Sequence, residues 1–277
     1  MFKKKFHFLI LVILFSSTFF VWSVVFEHTS DNLLEVYFFD VGQGDSIFIE
    51  TPSNKQILID GGPDKMVLEK LNQTMPLYDR TIDLVILTHP DADHITGLID
   101  VIDYYSIGQI LTSGFELDTA VYKEWQDLIK LKNIPVTIVQ AGQKIILEKD
   151  VIIEILWPDQ SLVKNANNSS VVGRLVYGDS EFLLTGDIEK EVESRLIEQG
   201  WNLDSDVLKV GHHGSKTSNS FNFIKAVNPK ISVISVGEDN KYGHPNNEIL
   251  EILKNSVIYR TDKDGDIEIS ADYKGVP

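Results

Sequence analysis

The sequence predicts an α+β protein, a sheet-rich sandwich of strands and helices preceded by one membrane-spanning helix. Three features favour this class. An uncharged apolar segment stands near the N terminus. Strands and helices then alternate in the mixed order that is typical of layered domains. In both halves of the chain beyond the apolar segment, a hairpin of apolar strands carries an aspartate on a glycine turn.

The composition indicates a folded and strongly acidic protein. Of the 277 residues, 43% are hydrophobic and 24% are charged, as in globular rather than disordered chains. The absence of cysteine excludes a disulfide scaffold, a cysteine-ligated zinc site and a cysteine nucleophile. The net charge is −16, and beyond residue 26 there are 22 basic against 41 acidic side chains, a net of −19. That balance argues against a broad basic surface for nucleic acid.

Residues 1–26 are predicted to be a signal anchor, that is, a transmembrane segment. Lys3, Lys4 and Lys5 precede the uncharged stretch Phe8–Phe26, whose 19 residues would span about 28 Å as a helix, close to the thickness of a bilayer core. The basic flank stays in the cytoplasm, which places the rest outside the cell membrane. Cleavage of a signal peptide and secretion is the alternative, disfavoured because bulky residues stand where a cleavage site needs small ones. Residues 27–34 are predicted to form a polar linker, and residues 35–277 the folded domain.

The first half of the domain consists of predicted strands that end in glycine or aspartate turns, with helices between them. Alternating or continuous apolar runs predict the strands, and turn residues bound them. The predicted strands are Val36–Val41, Ser46–Glu50, Gln56–Ile59, Asp83–Thr88, Ile110–Thr112 and Val136–Val139, and the helices are Lys65–Thr74, one beginning near Ile95, and Ala120–Lys132.

The second half repeats this layout after a β-rich stretch, Lys144–Trp157. Asp187 follows its hairpin as Asp60 follows the hairpin of the first half. The predicted strands are Val171–Tyr177, Glu181–Leu184, Val207–Val210, Ile231–Val236 and two terminal strands, and the helices are Ile188–Glu198, Phe221–Ala226 and Asn247–Leu253.

The histidines of the domain cluster at predicted strand ends, next to glycine, proline or aspartate. His89, Asp91, Asp93 and His94 put four candidate ligands in one short loop between a strand and a helix. Imidazole and carboxylate together are typical ligands of a catalytic divalent metal. A turn that merely caps the next helix is the alternative, but capping needs only one aspartate.

Further candidates lie at later strand ends. Asp187 is either a helix N-cap or a carboxylate shared by two metals. His212 and His213 are adjacent, so we expect one to bind metal and the other to contact a ligand or substrate. His244 is a ligand, a phosphate contact or a loop histidine. No nucleophile elbow, phosphate loop or dinucleotide fingerprint is present.

From Val36 to about Ala271, these motifs resemble the metallo-β-lactamase superfamily. Its His-x-His-x-Asp-His motif reads here His89-Pro-Asp91-Ala-Asp93-His94, with aspartate in place of the second histidine. Its Gly-Asp motif matches Asp187, its last histidine matches His212 or His213, and its middle histidine has no counterpart. Together with Asp40-Val-Gly-Gln-Gly-Asp45-Ser46, Leu58-Ile-Asp60-Gly-Gly62 and Tyr242-Gly-His244-Pro, these departures resemble the hydrolase domain of ComEC-type competence channels and its stand-alone relatives.

The resemblance implies an αββα four-layer sandwich with one or two divalent metals at one edge. The metal ligands it implies are His89, Asp91, Asp93, His94, Asp187 and His212 or His213. Asp40, Asp45, Asp60, Asn167 and Asn168 are expected to support the ligands or form turns. Because carboxylate replaces imidazole, the site favours Mn²⁺ alongside Zn²⁺, with Mg²⁺ as an alternative.

The activity this implies is metal-dependent hydrolysis of a phosphodiester, DNA among the candidates, by a metal-activated water. Asp93, His244 and Lys216 are the catalytic candidates, and Lys209 is a further phosphate contact. The single apolar segment leaves no room for a many-helix channel, and the acidic domain offers DNA no obvious surface. Hydrolysis of a small phosphodiester, a phosphorylcholine-bearing polymer or a lactam is therefore an alternative, as is a non-catalytic membrane-tethered binding module. The sequence identifies no protein partner.

Overall fold

The computed structural model describes residues 2–27, 32–159 and 163–276. Two seven-stranded sheets face each other, and helices cover the outer face of each sheet. The predicted αββα four-layer sandwich is confirmed. Half of the predicted linker, residues 28–31, lies outside the described residues.

The first sheet contains the strands of the first half together with the last strand of the chain. In chain order these are β1 (Leu34–Phe38), β2 (Ile47–Glu50), β3 (Gln56–Ile59), β4 (Thr81–Leu87), β5 (Ser106–Thr112), β6 (Val136–Ile138) and β14 (Ile267–Ala271). Their order in the sheet is β14-β1-β2-β3-β4-β5-β6, antiparallel up to β3 and parallel from there to β6. The outer face packs against α2 (Met66–Thr74), α3 (Ala92–Tyr104) and α4 (Ala120–Lys132).

The second sheet is built in the same way. Its strands are β7 (Lys144–Glu148), β8 (Val151–Trp157), β9 (Val172–Tyr177), β10 (Ser180–Leu184), β11 (Val207–Lys209), β12 (Ile231–Ile234) and β13 (Val257–Arg260). The order is β13-β12-β11-β10-β9-β8-β7, antiparallel from β7 to β10 and parallel from β10 to β13. Its outer helices are α5 (Lys190–Glu198), α6 (Phe221–Val227) and α7 (Asn247–Ile252), and a short helix absent from the prediction, α8 (Thr261–Asp264), precedes β14.

The predicted repeat of the two halves is a repeat of topology. The hairpin β2–β3 is followed by parallel strands in the first sheet, and the hairpin β9–β10 is followed by parallel strands in the second. Parallel strands bring their carboxyl ends to one edge of a sheet, where open α/β folds bind ligands. This edge receives the residues after β3, β4, β10 and β11.

Three apolar clusters hold the layers together. The central cluster lies between the sheets and includes Phe38, Ile57 and Phe182, each no more than 1% exposed. A second cluster joins the first sheet to α2–α4, and a third joins the second sheet to α5–α7. Burial of apolar surface on both faces of each sheet drives the sandwich together, at about 25 cal/mol per Å².

Three predicted boundaries were wrong by about three residues or more, and one of them matters for the site. Strand β1 ends at Phe38, three residues before its predicted end at Val41. Helix α3 begins at Ala92 rather than near Ile95. Asp91 adopts an extended backbone at the N-cap, and its carbonyl accepts hydrogen bonds from the amides of His94 and Ile95. Asp93 and His94 therefore lie in the first helical turn rather than in a loop. Strand β5 begins at Ser106, four residues before the predicted start.

The N-terminal segment forms helix α1 (Phe2–Glu27). Its window Lys5–Trp22 has a mean hydropathy of 1.8 and is long and apolar enough to cross a membrane. None of this window is buried against the rest of the described chain. A signal sequence would satisfy the same criteria of length and composition, so the helix by itself does not identify an anchor.

Candidate metal centre

His94 is fixed at the site by close packing between α3 and the turn after β3. The amide of Gly61 donates to the carbonyl of His94 (2.8 Å), and the amide of Gly97 donates to the carbonyl of Gly62 (3.0 Å). A Cβ on Gly97 would lie 2.0 Å from the carbonyl oxygen of Gly61. Only glycine permits this approach, which places the first turn of α3 directly over the strand end.

The imidazole of His94 is oriented by a buried carboxylate. Its Nδ1 lies 2.8 Å from Oδ2 of Asp60, and both side chains are fully buried. Asp60 also accepts hydrogen bonds from the amide (2.8 Å) and the hydroxyl (2.6 Å) of Thr88. Because a carboxylate only accepts, Nδ1 of His94 carries a proton, which leaves Nε2 as the nitrogen that can bind a cation. This carboxylate–histidine arrangement is typical behind metal ligands.

His89 is hydrogen-bonded in the same way, through Nδ1. Its Nδ1 lies 3.1 Å from the hydroxyl of Thr88 and 3.3 Å from that of Ser170. Those hydroxyls donate elsewhere, to Asp60 and to the carbonyl of Asn167. Both hydroxyls therefore accept from Nδ1 of His89, which leaves its Nε2 as the nitrogen that can bind a cation.

His213 completes a set of three such imidazoles. Its Nδ1 lies 2.8 Å from the carbonyl of Ser235, which can only accept, so Nδ1 carries a proton and Nε2 is again the nitrogen that can bind a cation. His212 and His213 both have left-handed backbones, with φ of 51° and 54°. This conformation turns the ring of His213 into the protein (2% exposed) and leaves that of His212 at the rim, with 23% of its side chain exposed.

The left-handed pair is anchored by Asn219, which is fully buried. Oδ1 of Asn219 accepts from the amide of Gly211 (2.9 Å), and its Nδ2 donates to the Gly211 carbonyl (2.8 Å). The backbone amides of Asn219 and Ser220 donate in turn to the buried Glu193 of α5. Helix α5 therefore fixes where the His212–His213 turn begins.

Three carboxylates face the free Nε2 atoms. Oδ2 of Asp187 lies 3.3 Å from Nε2 of His213 and 3.4 Å from Nε2 of His94. Oδ2 of Asp93 lies 3.4 Å from Nε2 of His213. The remaining carboxylate, that of Asp91, lies 3.6 Å from Nε2 of His89. Asp91 occupies the helix N-cap position but makes no side-chain capping bond, and the N-cap of α5 is Glu189 rather than Asp187. The capping alternatives for both aspartates were therefore wrong.

The donor set fits divalent cations. His89, His94 and Asp187 offer ligand atoms within 4.8 Å of one another, and so do Asp93, His94 and His213. Within the described part of the chain, Nε2 of each of these three histidines is buried without a hydrogen-bond partner, as is Oδ1 of Asp187. Leaving such atoms unpaired is costly unless a ligand satisfies them. A third group, Asp45, Asp60 and His94, lies on the Nδ1 side, which already bonds Asp60.

The electrostatics of the cluster also suit a cation. Burial raises the pKa of Asp187, but His213 and His94 outweigh it and hold that pKa well below its usual range. Asp93 likewise has its pKa lowered, because its interactions with His213 and His94 outweigh burial. Burial lowers the pKa of His213, but Asp187 and Asp93 raise it overall to about 10. Without metal, protons on the histidines balance the carboxylates, and a bound cation would displace them.

Behind the cluster lies a buried ion pair. Lys209 is fully buried at the end of β11, and its ammonium pairs with Asp45 and lies 3.7 Å from Oδ1 of Asp187. Burial lowers the pKa of Lys209, but the two aspartates raise it above its usual value. The prediction that Lys209 contacts phosphate is wrong, since its ammonium is enclosed and faces Asp45. The sequence favoured a phosphate contact because Lys209 lies only three residues before His212.

The other candidate residues lie at varying distances from the centre. Nδ2 of Asn167 is 3.4 Å from Nε2 of His212, whereas Asn168 accepts from the amide of Glu189. Asp40 caps a turn through the amide of Gly42. The ring of His244 lies 6.0 Å from that of His212. Lys216 is exposed one residue before Thr217, whose hydroxyl lies 3.2 Å from Nδ1 of His212.

Three residues with clear roles in the site were missed from the sequence. Thr88 and Ser170 orient His89, and Asn219 anchors the histidine turn. Thr88 had a detectable signal, a hydroxyl that ends an apolar strand directly before a candidate ligand. Ser170 had none because its partner His89 is 81 residues away. Asn219 had none because its contact with Gly211, eight residues away, depends on how the loop between them folds.

Comparison with known proteins agrees with this geometry. Residues 39–238 match the sequence model of the Metallo-beta-lactamase superfamily. The chain is 32% identical over 254 residues to ComE operon protein 3 of Bacillus subtilis (strain 168), covering 84% of this chain and 32% of that protein. It is 30% identical over 266 residues to Competence protein ComA of Neisseria gonorrhoeae, covering 90% of this chain and 34% of that protein. The chain thus spans about a third of the length of these relatives.

Solved structures agree at the level of the fold. The metallo-beta-lactamase fold protein YhfI from Bacillus subtilis aligns with a TM-score of 0.59 at 14% identity, covering 85% of this chain and 99% of that one. Zn(2+)-bound PqqB from Methylobacterium extorquens aligns with a TM-score of 0.52 at 12% identity, covering 82% and 87%. From the matched family, the two-sheet fold and the histidine–aspartate cluster, we conclude that the chain belongs to the metallo-β-lactamase superfamily and that its domain is similar to part of the ComEC-type competence proteins.

Proposed function

We propose that the domain is a metal-dependent phosphodiesterase that acts on nucleic acid and is held at the outer face of the cell membrane by α1. The observation that carries the proposal is the convergence of three buried, unpartnered Nε2 atoms on the carboxylates of Asp93 and Asp187. Buried polar atoms that lack hydrogen-bond partners destabilise a fold unless a ligand satisfies them, and bound cations would satisfy these nitrogens.

The ligands would divide into two groups. His89 and Asp91 together with Asp187 would hold one cation, and Asp93, His94 and His213 would hold the second; Asp187 lies within reach of both groups. His213 rather than His212 is the ligand of the pair, because its ring is buried and its Nε2 is closer to Asp187 (3.3 Å against 4.0 Å).

The expected metals follow from the donor chemistry. Asp91 stands where the superfamily motif has a histidine, so each group combines nitrogen with carboxylate oxygen. Such a set accepts Zn²⁺ and, being harder, favours Mn²⁺, with Mg²⁺ as the alternative. A bound cation supplies Lewis acidity, which polarises a phosphoryl oxygen and lowers the pKa of the attacking water.

The remaining roles fall to residues at the rim. Asp93 has one third of its side chain exposed and would orient the attacking water through a hydrogen bond. The rings of His212 and His244 lie 6.0 Å apart, and we assign to them the contact with the phosphate. Lys216 is exposed one residue before Thr217, which contacts His212, and would add positive charge there.

Two considerations support nucleic acid as the substrate. Among the relatives that match over most of this chain, one is named Competence protein ComA, one ComE operon protein 3, and one, from Haemophilus influenzae, Recombination protein 2. An oxygen-rich site also suits phosphodiester oxygens better than a lactam. Orientation outside the membrane follows from the lysines before the apolar segment, and protease accessibility of the domain in intact cells checks it.

The test compares two isosteric variants of the full-length chain in detergent. After chelation and reloading with Mn²⁺ or Zn²⁺, the wild type is incubated with end-labelled single- and double-stranded DNA and with small phosphodiesters. We expect cleavage that a chelator abolishes, and a loss of more than about 100-fold in Asp93→Asn, since weakening even a supporting residue costs about 10- to 100-fold. Asp118→Asn, the same change at a side chain that is 90% exposed and pairs with Lys123 rather than with the cluster, should retain full activity.

Two outcomes would contradict the proposal. Bound metal by elemental analysis without turnover of any phosphodiester would reject the activity, and turnover of a lactam reporter would then favour the superfamily's other hydrolytic chemistry. Absence of bound metal in a folded protein would leave only a non-catalytic module.

A further inference from the structure

A line of four aromatic rings leads from the metal centre to the surface. The ring centroids of His213 and His212 are 6.1 Å apart, and those of His212 and His244 are 6.0 Å apart. His244 then stacks on Tyr242 at 5.7 Å, with an interplanar angle of only 17°. The burial of the first ring and the 71% exposure of Tyr242 mark the two ends of the line.

The outer end of this line is held in place by the loop itself. Oδ1 of Asn240 accepts from the amide of His244 (2.9 Å), and its Nδ2 donates to the carbonyls of His244 and Gly237, each at 2.8 Å. Gly243, with φ of 70°, provides the turn that brings Tyr242 back over His244. The stacked pair is therefore supported by a closed set of hydrogen bonds.

Tyr242 has one face on His244 and the other open to water. A large ring that remains 71% exposed gains nothing from the core, and a flat open face beside a reactive centre is suited to a planar partner. Aromatic side chains bind successive bases of single-stranded nucleic acids in this way.

We propose that Tyr242 is a stacking platform for the nucleobase next to the scissile phosphodiester. This inference rests on the proposed function and specifies its substrate as a single-stranded or locally unpaired nucleic acid. With the phosphate at the cluster, the adjoining sugar and base extend past His212 and His244, and the base lies on the open face of Tyr242.

The charges of the domain explain why such a platform is useful. Its net charge of −19 beyond residue 26 repels a polyanion, whereas stacking on an uncharged ring needs no attraction between charges. Lys241 and Lys216 flank the line of rings, are exposed, and have no carboxylate partner among the residues that the structure describes. Glu238 and Asp239 in the loop that carries Tyr242 are also exposed. The positive charge is therefore confined to the two lysine side chains and does not form a broad basic surface.

A choline headgroup fits this position less well. Quaternary ammonium ligands are enclosed by several aromatic faces, and Tyr242 offers one open face. The ammonium of the adjacent Lys241 would also repel a cation.

The experiment measures how much the base contributes, using full-length protein in detergent, loaded with Mn²⁺. The two substrates are thymidine 5′-(4-nitrophenyl phosphate) and methyl 4-nitrophenyl phosphate, which share a leaving group and differ in the nucleoside. The readout is the ratio of their kcat/KM values. We expect Tyr242→Ala to lower this ratio about tenfold, mainly through the KM of the thymidine ester. Tyr242→Phe keeps the ring and should keep the ratio.

A matched control and a binding measurement separate this inference from the proposed function. Tyr78→Ala makes the same change at a tyrosine that is 83% exposed on another loop, and it should leave the ratio unchanged. The Kd values of a labelled thymidine decamer and of an abasic decamer are compared as well, and Tyr242→Ala should abolish the preference for the base-bearing strand.

The outcomes are distinct. An unchanged ratio and an unchanged base preference in Tyr242→Ala, with Asp93→Asn still inactive, would overturn the platform and leave the phosphodiesterase. An equal loss in Tyr242→Phe would assign the effect to the hydroxyl and also overturn it. No cleavage by the wild type, together with a base preference that Tyr242→Ala removes, would reject the phosphodiesterase and support the platform.

Discussion

Asn219→Ala tests whether the hydrogen bonds of Asn219 hold the backbone of the His212–His213 turn in place. The side chain of Asn219 is fully buried, makes both hydrogen bonds to Gly211, and does not face the metal cluster. The residues it anchors, His212 and His213, have left-handed backbones that each cost about 1–2 kcal/mol outside glycine. Removing the anchor should therefore affect both the stability of the fold and the position of the His213 ring.

The size of the effect follows from the two hydrogen bonds. Loss of the side chain leaves the buried amide and carbonyl of Gly211 unpaired, which costs about 1–3 kcal/mol for each group. Asn219 itself has φ of 63°, where alanine adds about 1 kcal/mol of strain. We expect the free energy of unfolding to fall by about 3–7 kcal/mol. Relaxation of the strained pair should also raise the Kd for metal at least about tenfold.

The assay is urea unfolding of the metal-free protein, followed by calorimetric titration with Zn²⁺ or Mn²⁺. Asn228→Ala is the control, because Asn228 also has a left-handed backbone (φ of 52°) but is exposed at the end of α6. It should lose only the backbone contribution and keep its metal affinity. The reasoning is refuted if the two variants lose equal stability, or if Asn219→Ala binds metal as tightly as the wild type.

Two further predictions concern the buried histidines. Asp60→Asn removes the charge behind Nδ1 of His94, and the Kd for metal should rise about 10- to 100-fold by calorimetry; an unchanged Kd would mean that Asp60 does not orient the ligand. The pKa of His213 in the metal-free fold is about 10, above its unfolded value. Its ion pair with Asp187 therefore contributes stability that is fully present below about pH 6.5 and is lost as the pH rises through about 10. In chelator, the difference in unfolding free energy between wild type and His213→Asn should therefore shrink from pH 7 to pH 11, and a constant difference would contradict the assignment.

Much of the fold was predictable because its signals are local. Apolar runs and glycine turns predicted most strands to within one or two residues, since side-chain alternation and turn preferences act within a few positions. The repeated hairpin anticipated the equivalent layout of the two sheets. Strand β14 was predicted as a terminal strand, but its pairing with β1 at the edge of the first sheet was not predicted.

The sequence by itself determined that this protein has a histidine–aspartate site at strand ends, because ligand types and their spacing are written in one short segment from His89 to His94. Only the tertiary structure decided which of His212 and His213 turns inward, that Lys209 is enclosed against Asp45, and that Asn219 holds the turn. The physical reason is that these outcomes depend on backbone angles, on how the loop between Gly211 and Asn219 folds, and on contacts between segments far apart in sequence, such as Lys209 with Asp45. Such contacts exist only after the two sheets have packed face to face and brought their strand ends together.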